Sequence, residues 1–205
     1  MHGKAMTDNT ANEGRRRRSR WRIAAWGTAA ALILLIPFVL TLIGDGVEGQ
    51  GWHWTPGDFL FALVLLFGTG LAYELLASKA DNATYRFAVG IAVVSALILV
   101  WVNAAVGMIG DDNPANVLYV GVIAVGIMGA SITRLQLHGM ARTLCVMAMA
   151  QMVVPVLALI LWPTDFAPGV VGVFALNGVF AALWLLSAWL FRQAAREHTP
   201  AGAAP

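Results

Sequence analysis

The sequence is divided into six long runs of apolar residues separated by short polar segments. The runs cover residues 23–43, 59–77, 87–109, 114–133, 144–162 and 170–191. An α-helix rises about 1.5 Å per residue, so about 20 residues cross the roughly 30 Å of hydrocarbon in a bilayer. Each run is close to that length. Because backbone N–H and C=O groups in lipid need partners within their own segment, we expect the runs to be helices.

The composition argues against a water-soluble domain. Apolar residues make up 59% of the 205 residues and charged residues only 12%, whereas soluble domains contain about 25% charged residues. A soluble fold of this size buries about 70% of its unfolded surface, so many apolar side chains would be left in water. The sequence therefore predicts an all-α membrane protein with a bundle of six transmembrane helices over residues 23–191.

The distribution of charge predicts that both termini lie in the cytoplasm. Lys and Arg near membrane segments remain on the cytoplasmic side. With the N-terminus inside, all 13 Lys and Arg residues fall in the tails and in the loops after the second and fourth runs. The predicted outer loops carry acidic side chains and no Lys or Arg. We expect residues 1–22 to form a disordered basic tail and residues 192–205 a second cytoplasmic tail.

The first run is expected to remain in the protein as a transmembrane helix. A signal peptide has an apolar segment of about 7–15 residues followed by a small-residue cleavage site. Residues 23–43 are longer than that, and no A-x-A pattern follows them.

Small residues recur on single faces of several predicted helices. Residues three, four or seven apart share a helical face, and small residues let helices approach closely in lipid. We interpret these positions as helix-packing faces rather than as a ligand groove. They are Gly68 with Ala72; Ala92 with Ala96, Asn103, Gly107 and Gly110; Gly126 with Ala130 and Thr133; and Gly178 with Ala182.

Three amides lie within the predicted spans and form a candidate intramembrane polar site: Asn103, Gln151 and Asn177. Unpaired polar side chains are costly in hydrocarbon, which makes them candidates for function. Pro155 follows Gln151 by four residues and has no N–H to offer the Gln151 carbonyl. Two interpretations remain open. The amides bind water, an ion or a polar substrate, or they pair with one another or the backbone and hold the helices together.

Glu74 completes this candidate polar site, about one turn from the predicted cytoplasmic end of the second span. Burial would raise the pKa of a carboxyl group and suit it to carrying protons. The alternative is that Glu74 reaches the membrane interface and pairs with Lys79 or Arg86.

A second candidate site is an oxygen-rich patch at the predicted outer start of the fourth helix. It consists of Asp111, Asp112, Asn113 and Asn116. Carboxylate and amide oxygens suit hard cations, although adjacent acids on a short loop are usually only solvated.

The sequence contains no recognisable set of catalytic residues, metal ligands or cofactor ligands. The single cysteine, Cys145, excludes an internal disulfide and a CxxC site. All four histidines lie outside the predicted spans, so none offers haem an axial ligand within the bilayer. The serines within the spans have no His or Lys base in reach. We therefore expect no enzymatic activity, no metal and no cofactor.

The stretch WVNAAVGMIGDDNPANVLYVGVIAVGIMGA, which starts at Trp101, is followed by GMAR at residues 139–142. This region resembles an uncharacterised family of small multi-spanning bacterial inner-membrane proteins. The resemblance covers residues 101–151. It implies a multi-pass protein of the bacterial inner membrane and implies no activity.

These observations lead to one functional hypothesis and an alternative. The leading hypothesis is a non-enzymatic accessory or interaction subunit, because the interior lacks charge and small-residue faces are abundant. The alternative is a small-solute or ion transporter or channel that uses the intramembrane polar groups. A membrane enzyme ranks third. The expected partners are the lipid bilayer and either another protein or a second copy, with no nucleic acid.

Overall fold

The computed structural model describes residues 21, 24–42, 54–79, 82–110, 113–163, 166–167 and 169–197. These residues contain six helices that are long and apolar enough to span a membrane, and no β-strand. The all-α fold with six membrane-spanning helices is thus confirmed. The helices are α1 (Ala24–Leu42), α2 (Pro56–Ala77), α3 (Ala83–Val106), α4 (Leu118–Ile132, preceded by a 3₁₀ turn at Pro114–Val117), α5 (Leu137–Leu161) and α6 (Val170–Glu197).

The chain forms two compact units, Met1–Ala72 and Tyr73–Pro205, and the boundary falls within α2. In the first unit α1 and α2 run antiparallel. The Phe38 and Phe59 rings meet edge to face with centroids 6.1 Å apart. Towards the other end of the pair, a Cβ added to Gly70 would lie 2.7 Å from the Trp26 ring. The two helices are therefore in contact at both ends.

The start of α2 is fixed by reciprocal hydrogen bonds between Thr55 and Asp58. Asp58 Oδ2 accepts from the Thr55 backbone N–H at 2.7 Å and from its hydroxyl at 2.8 Å. Asp58 N–H in turn donates to Thr55 Oγ1 at 3.3 Å. This arrangement is a capping box, and Pro56 occupies the first helical position, where no N–H is needed. The helix consequently begins before the apolar run at residue 59.

The core of the second unit lies where α3, α4, α5 and α6 pack together. Several large side chains are almost fully buried there: Leu99, Tyr119, Leu144, Trp184 and Phe191. Tyr85 of α3 stacks edge to face on Phe191 of α6, with centroids 5.4 Å apart. The Tyr85 hydroxyl also donates to the Leu76 carbonyl at 3.0 Å. The end of α2 is therefore attached to the start of α3.

A tight turn and small residues hold α4 against α5. Arg134 and Leu135 have positive φ angles of 49° and 62°, and the Leu135 N–H donates to the Ala130 carbonyl. This left-handed turn allows α5 to start at Leu137, before the apolar run at residue 144. Gly129 faces Thr143 so closely that an added Cβ would overlap that side chain. Glycine at this position is therefore required by the approach of the two helices.

Polar contacts at the helix ends join α3 to α6. The Ser187 hydroxyl donates to the Ala88 carbonyl at 2.7 Å. Asn82 caps α3 through its Oδ1, and its Nδ2 donates to Glu197 Oε2 at 2.6 Å. Thr84 Oγ1 donates to the other Glu197 oxygen at 3.2 Å. These bonds explain why α3 begins before its apolar run of residues 87–109 and why α6 ends after its run of residues 170–191. At its other end α3 stops at Val106, three residues before the end of its run.

Candidate functional site

Two of the three intramembrane amides are in direct contact between α5 and α6. Gln151 Nε2 donates to Asn177 Oδ1 at 2.9 Å. Asn177 Nδ2 donates back to the Val173 carbonyl of its own helix at 2.8 Å. Both side chains have 0% of their surface exposed. Their polar atoms are therefore paired inside the protein and not with lipid or water.

Two aromatic side chains extend this pair into a four-residue group, which we call the amide cluster: Tyr119, Gln151, Asn177 and Trp184. The Tyr119 hydroxyl donates to Asn177 Oδ1 at 3.0 Å. Trp184 Nε1 donates to Gln151 Oε1 at a longer 3.4 Å. Asn177 Oδ1 thus accepts two hydrogen bonds, and α4, α5 and α6 all contribute to the cluster.

Tyr119 and Trp184 were not among the predicted site residues. Each combines an apolar body with one polar atom, so both read as ordinary members of an apolar run. Only a general rule points to them: a buried Tyr O–H or Trp N–H normally finds a hydrogen-bond partner. Trp184 also follows Asn177 by seven residues, which places both on one face of α6.

The amide cluster is buried and internally satisfied. All four side chains are buried, and each of their polar atoms has a hydrogen-bond partner. A cavity of about 590 Å³ borders α3 and is lined by residues such as Tyr73, Arg86 and Ser95. No member of the cluster lines that cavity. The cluster has the properties of a packing element that fixes the rotation of three helices.

Pro155 lies within α5, one turn beyond Gln151, and is buried. A proline at this position removes the backbone N–H that would otherwise donate to the Gln151 carbonyl. The Gln151 side chain points into the amide cluster and pairs there with α6. Gln151 and Pro155, which stand out in the sequence of α5, therefore lie at a polar contact between α5 and α6.

Asn103 lies apart from the other two amides and contacts Asn116. Asn103 Nδ2 donates to the Asn116 backbone carbonyl at 3.1 Å. Asn103 Oδ1 is buried and has no hydrogen-bond partner among the described residues. An unpaired buried oxygen of this kind calls for an explanation, because it loses its solvation without compensation.

Glu74 lies far from Asn103 along the axis of α3. Its helix ends beside the start of α3, as the hydrogen bond from Tyr85 to Leu76 shows. Asn103 follows Tyr85 by 18 positions in the same helix, which places it about 27 Å further along the axis at a rise of about 1.5 Å per residue. The four predicted polar residues therefore do not form one site. Glu74 is partly buried.

The oxygen-rich patch is divided between described and undescribed residues. Asp111 and Asp112 lie outside the residues that the structure describes. Asn113 Oδ1 accepts from the Ala115 N–H at 2.9 Å and caps the 3₁₀ turn before α4. Asn116 Oδ1 accepts from the Ile109 N–H, and its Nδ2 donates to the Gly110 carbonyl at 2.6 Å. Both amides fasten the loop between α3 and α4.

Within the described ranges, no three His, Cys, Asp or Glu side chains come together as metal ligands would. Cys145 is a free, partly buried thiol. Arg192 Nη2 approaches Cys145 Sγ at 3.7 Å. This contact joins α5 to α6 near the Glu197 end of α6.

The exposed face of α6 is a further candidate site. It contains the small residues Ala175, Gly178 and Ala182. A Cβ added to Gly178 would have no neighbour within 4 Å. Ala175 and Ala182 are exposed on either side of it. Large apolar side chains are exposed around these small residues: Val171, Val179, Leu185, Leu186 and Trp189. We call this surface the small-residue face of α6.

The small residues of α4 are used differently. A Cβ at Gly126 would lie 2.7 Å from Met147 Sδ, and Gly129 meets Thr143 as described above. These glycines are occupied by α5. Among the described residues of its own unit, Tyr73–Pro205, Gly178 of α6 has no such occupant.

The fold and these sites define a multi-pass helical membrane protein. No protein-family model matches the sequence, and searches of curated proteins and of solved structures each found no match.

Proposed function

We propose that this protein is a non-enzymatic accessory or interaction subunit of the bacterial inner membrane. Its small-residue face would receive a transmembrane helix from another membrane protein or from a second copy. The observation that carries the proposal is the open space over Gly178, which continues along the face through Ala175 and Ala182.

Small residues at helix interfaces matter more in lipid than in water. Apolar burial gives little driving force between helices in a bilayer, so association depends on close van der Waals packing. Packed helix axes lie about 8–10 Å apart depending on the side chains between them, and a row of Ala and Gly allows the shorter distances. Gly126 and Gly129 serve α4 and α5 in this way within the chain. Gly178 offers an equivalent surface that is still open.

The amide cluster supports an interaction role over a transport role. A translocation path needs polar groups that a solute can reach. Gln151 and Asn177 are fully buried and hydrogen-bonded to protein groups. They stabilise the arrangement of α4, α5 and α6, and this rigid arrangement presents the opposite face of α6 to a partner.

The experiment compares two Gly-to-Leu variants. Gly178→Leu fills the small-residue face, whereas Gly121→Leu adds the same side chain to α4, where an added Cβ also has no neighbour within 4 Å. Each variant is extracted from native membranes in mild detergent, and its mass and copurifying proteins are measured. Both variants should fold, because a Cβ at either position meets no described atom within 4 Å.

We expect the wild type and Gly121→Leu to migrate with a partner or as an oligomer, and Gly178→Leu to migrate alone. A wild-type protein that is monomeric and without a partner in native-like nanodiscs would contradict the proposal. Equal association of wild type and Gly178→Leu would also contradict it.

Asn103 Oδ1, which has no hydrogen-bond partner among the described residues, favours a second candidate, a transporter or channel for a small solute or ion. This oxygen could accept a hydrogen bond from a passing water or coordinate a cation. The test is flux of candidate solutes and ions into proteoliposomes containing wild type, Asn103→Ala or Glu74→Ala. Flux that both substitutions abolish would establish this candidate, and flux equal in all three preparations would remove it.

A further inference from the structure

A basic pocket lies between the start of α5 and the end of α6. Its volume is about 290 Å³, and its lining residues are His138, Ala141, Arg142, Arg192 and Arg196. Neither the amide cluster nor the small-residue face includes any of these residues. Four of the five lining side chains are basic, and none is acidic.

The spacing of the residues explains why they converge. His138 and Arg142 are four apart on α5, and Arg192 and Arg196 are four apart on α6, so each pair lies on one helical face. The contact between Arg192 and Cys145 shows that these two faces oppose each other. Ala141 is buried among the longer side chains, and its small size leaves the space open.

The acidic residue next to this cluster in sequence is directed elsewhere. Glu197 follows Arg196 directly, but both of its carboxylate oxygens accept hydrogen bonds from the start of α3. The donors are Asn82 Nδ2 at 2.6 Å and Thr84 Oγ1 at 3.2 Å. The carboxylate therefore serves the contact between α3 and α6, and none of the described residues that line the basic pocket is acidic.

The start of α5 adds to the positive potential of the pocket. The N-cap residue Gln136 makes no side-chain hydrogen bond to the first turn. Helix N-termini carry a partial positive charge and present N–H groups that favour anions. His138 belongs to this first turn, so the helix end and the basic side chains act on the same space.

We propose that the basic pocket binds a phosphate group. Arginine guanidinium groups present paired N–H donors that match two phosphate oxygens. Basic pockets between transmembrane helices near the membrane surface bind the headgroups of anionic lipids. The pocket is beside the apolar part of both helices, so the phosphate of an anionic phospholipid can enter while its acyl chains remain in the bilayer. A free phosphate compound offers the same chemistry from the aqueous side.

The test measures dissociation constants of the full-length protein in detergent for three probes: phosphatidylglycerol, phosphatidylcholine and inorganic phosphate. Phosphatidylcholine carries the same phosphate with a positive choline group that the arginines repel. The pocket variant is Arg142→Gln/Arg192→Gln/Arg196→Gln. The control Lys79→Gln/Arg86→Gln/Arg134→Gln removes the same charge from exposed positions that do not line the pocket.

We expect wild type to bind phosphatidylglycerol about tenfold or more tightly than phosphatidylcholine. A difference of that size corresponds to one charge-assisted hydrogen bond. The pocket variant should lose this preference and the control should keep it. Binding of inorganic phosphate without a lipid preference, lost in the same variant, would assign the pocket to a free phosphate compound.

The proposal would be overturned if wild type bound neither phosphatidylglycerol nor inorganic phosphate selectively. It would also be overturned if both triple variants lost affinity equally, since the effect would then be one of total charge. Should the triple variant fail to fold, Arg142→Gln and Arg196→Gln are measured separately. Each should weaken binding by about threefold or more, a fraction of one charge-assisted hydrogen bond, and unchanged binding in both would reject the site.

Discussion

The side chains of Gln151 and Asn177 share a 2.9 Å hydrogen bond in a fully buried position between α5 and α6. Asn177 accepts a second hydrogen bond from Tyr119 of α4. One amide oxygen therefore connects three helices. In a bilayer, where apolar contacts discriminate poorly between helix rotations, such a bond specifies which faces meet.

Replacing either amide by leucine should lower the free energy of unfolding by more than the net contribution of one hydrogen bond. Asn177→Leu leaves Gln151 Nε2 and the Tyr119 hydroxyl buried without their partner, and Gln151→Leu does the same to Trp184 Nε1. Each loss costs about 1–3 kcal/mol in the free energy of unfolding. The double variant should lose less than the sum of the two single losses, because it contains no Gln151 amide that the removal of Asn177 could leave unpaired. The free energy of unfolding in detergent is measured for the wild type, the two single variants and the double variant. Strictly additive losses would mean that the two side chains do not interact.

Tyr119→Phe should have a smaller effect than either amide substitution. It removes one hydroxyl, but Asn177 Oδ1 still accepts from Gln151. We expect a loss of about 0.6 kcal/mol, the average value of an interhelical hydrogen bond in membrane proteins. The same unfolding measurement applies. A loss as large as that of Asn177→Leu would show that the tyrosine, and not the glutamine, is the main partner of Asn177.

Alanine at Gly129 and at Gly121 should have opposite consequences. At Gly129 the added methyl group overlaps Thr143, whose branched side chain has little freedom to move. We expect a destabilisation of about 1–3 kcal/mol from this overpacking. At Gly121 nothing lies within 4 Å of an added Cβ, so the higher helix propensity of alanine should leave stability equal or raised by up to about 1 kcal/mol. Equal effects at both sites would refute the close approach of α4 and α5.

Six crossings and the distribution of Lys and Arg predict that both termini face the cytoplasm. Reporter fusions at each end, one active only in the cytoplasm and one only outside it, measure this directly. We expect both ends to give the cytoplasmic signal. Termini on opposite sides would require an odd number of crossings and would place basic loops outside.

The number and approximate position of the helices follow from local composition, because about 20 apolar residues suffice to cross a bilayer wherever they occur. Helix ends depend on finer chemistry. Leu137 begins α5 because Arg134 and Leu135 adopt a left-handed turn, which neither residue type announces. Asn82 and Glu197 extend α3 and α6 through contacts between residues distant in sequence.

The candidate site was harder to predict than the fold. Gln151 and Asn177 could be named because an amide in an apolar run is conspicuous, but their pairing depends on how α5 and α6 are rotated. Asn103 is equally conspicuous and contacts a different partner, Asn116. Tyr119 and Trp184 do not stand out in the sequence, because each is mainly an aromatic ring within an apolar run and carries only one polar atom.

The small-residue face of α6 is the proposed surface for another helix. Cysteine crosslinking in intact membranes tests this proposal most directly. In a Cys145→Ser background, Ala182→Cys places a thiol on this face and Gly121→Cys places one on α4, both at exposed positions. A short crosslinker is applied to each and the products are separated by mass. We predict a crosslinked species, either a dimer or a product with a second protein, from Ala182→Cys and none from Gly121→Cys. No product from Ala182→Cys, or equal products from both, would contradict the account.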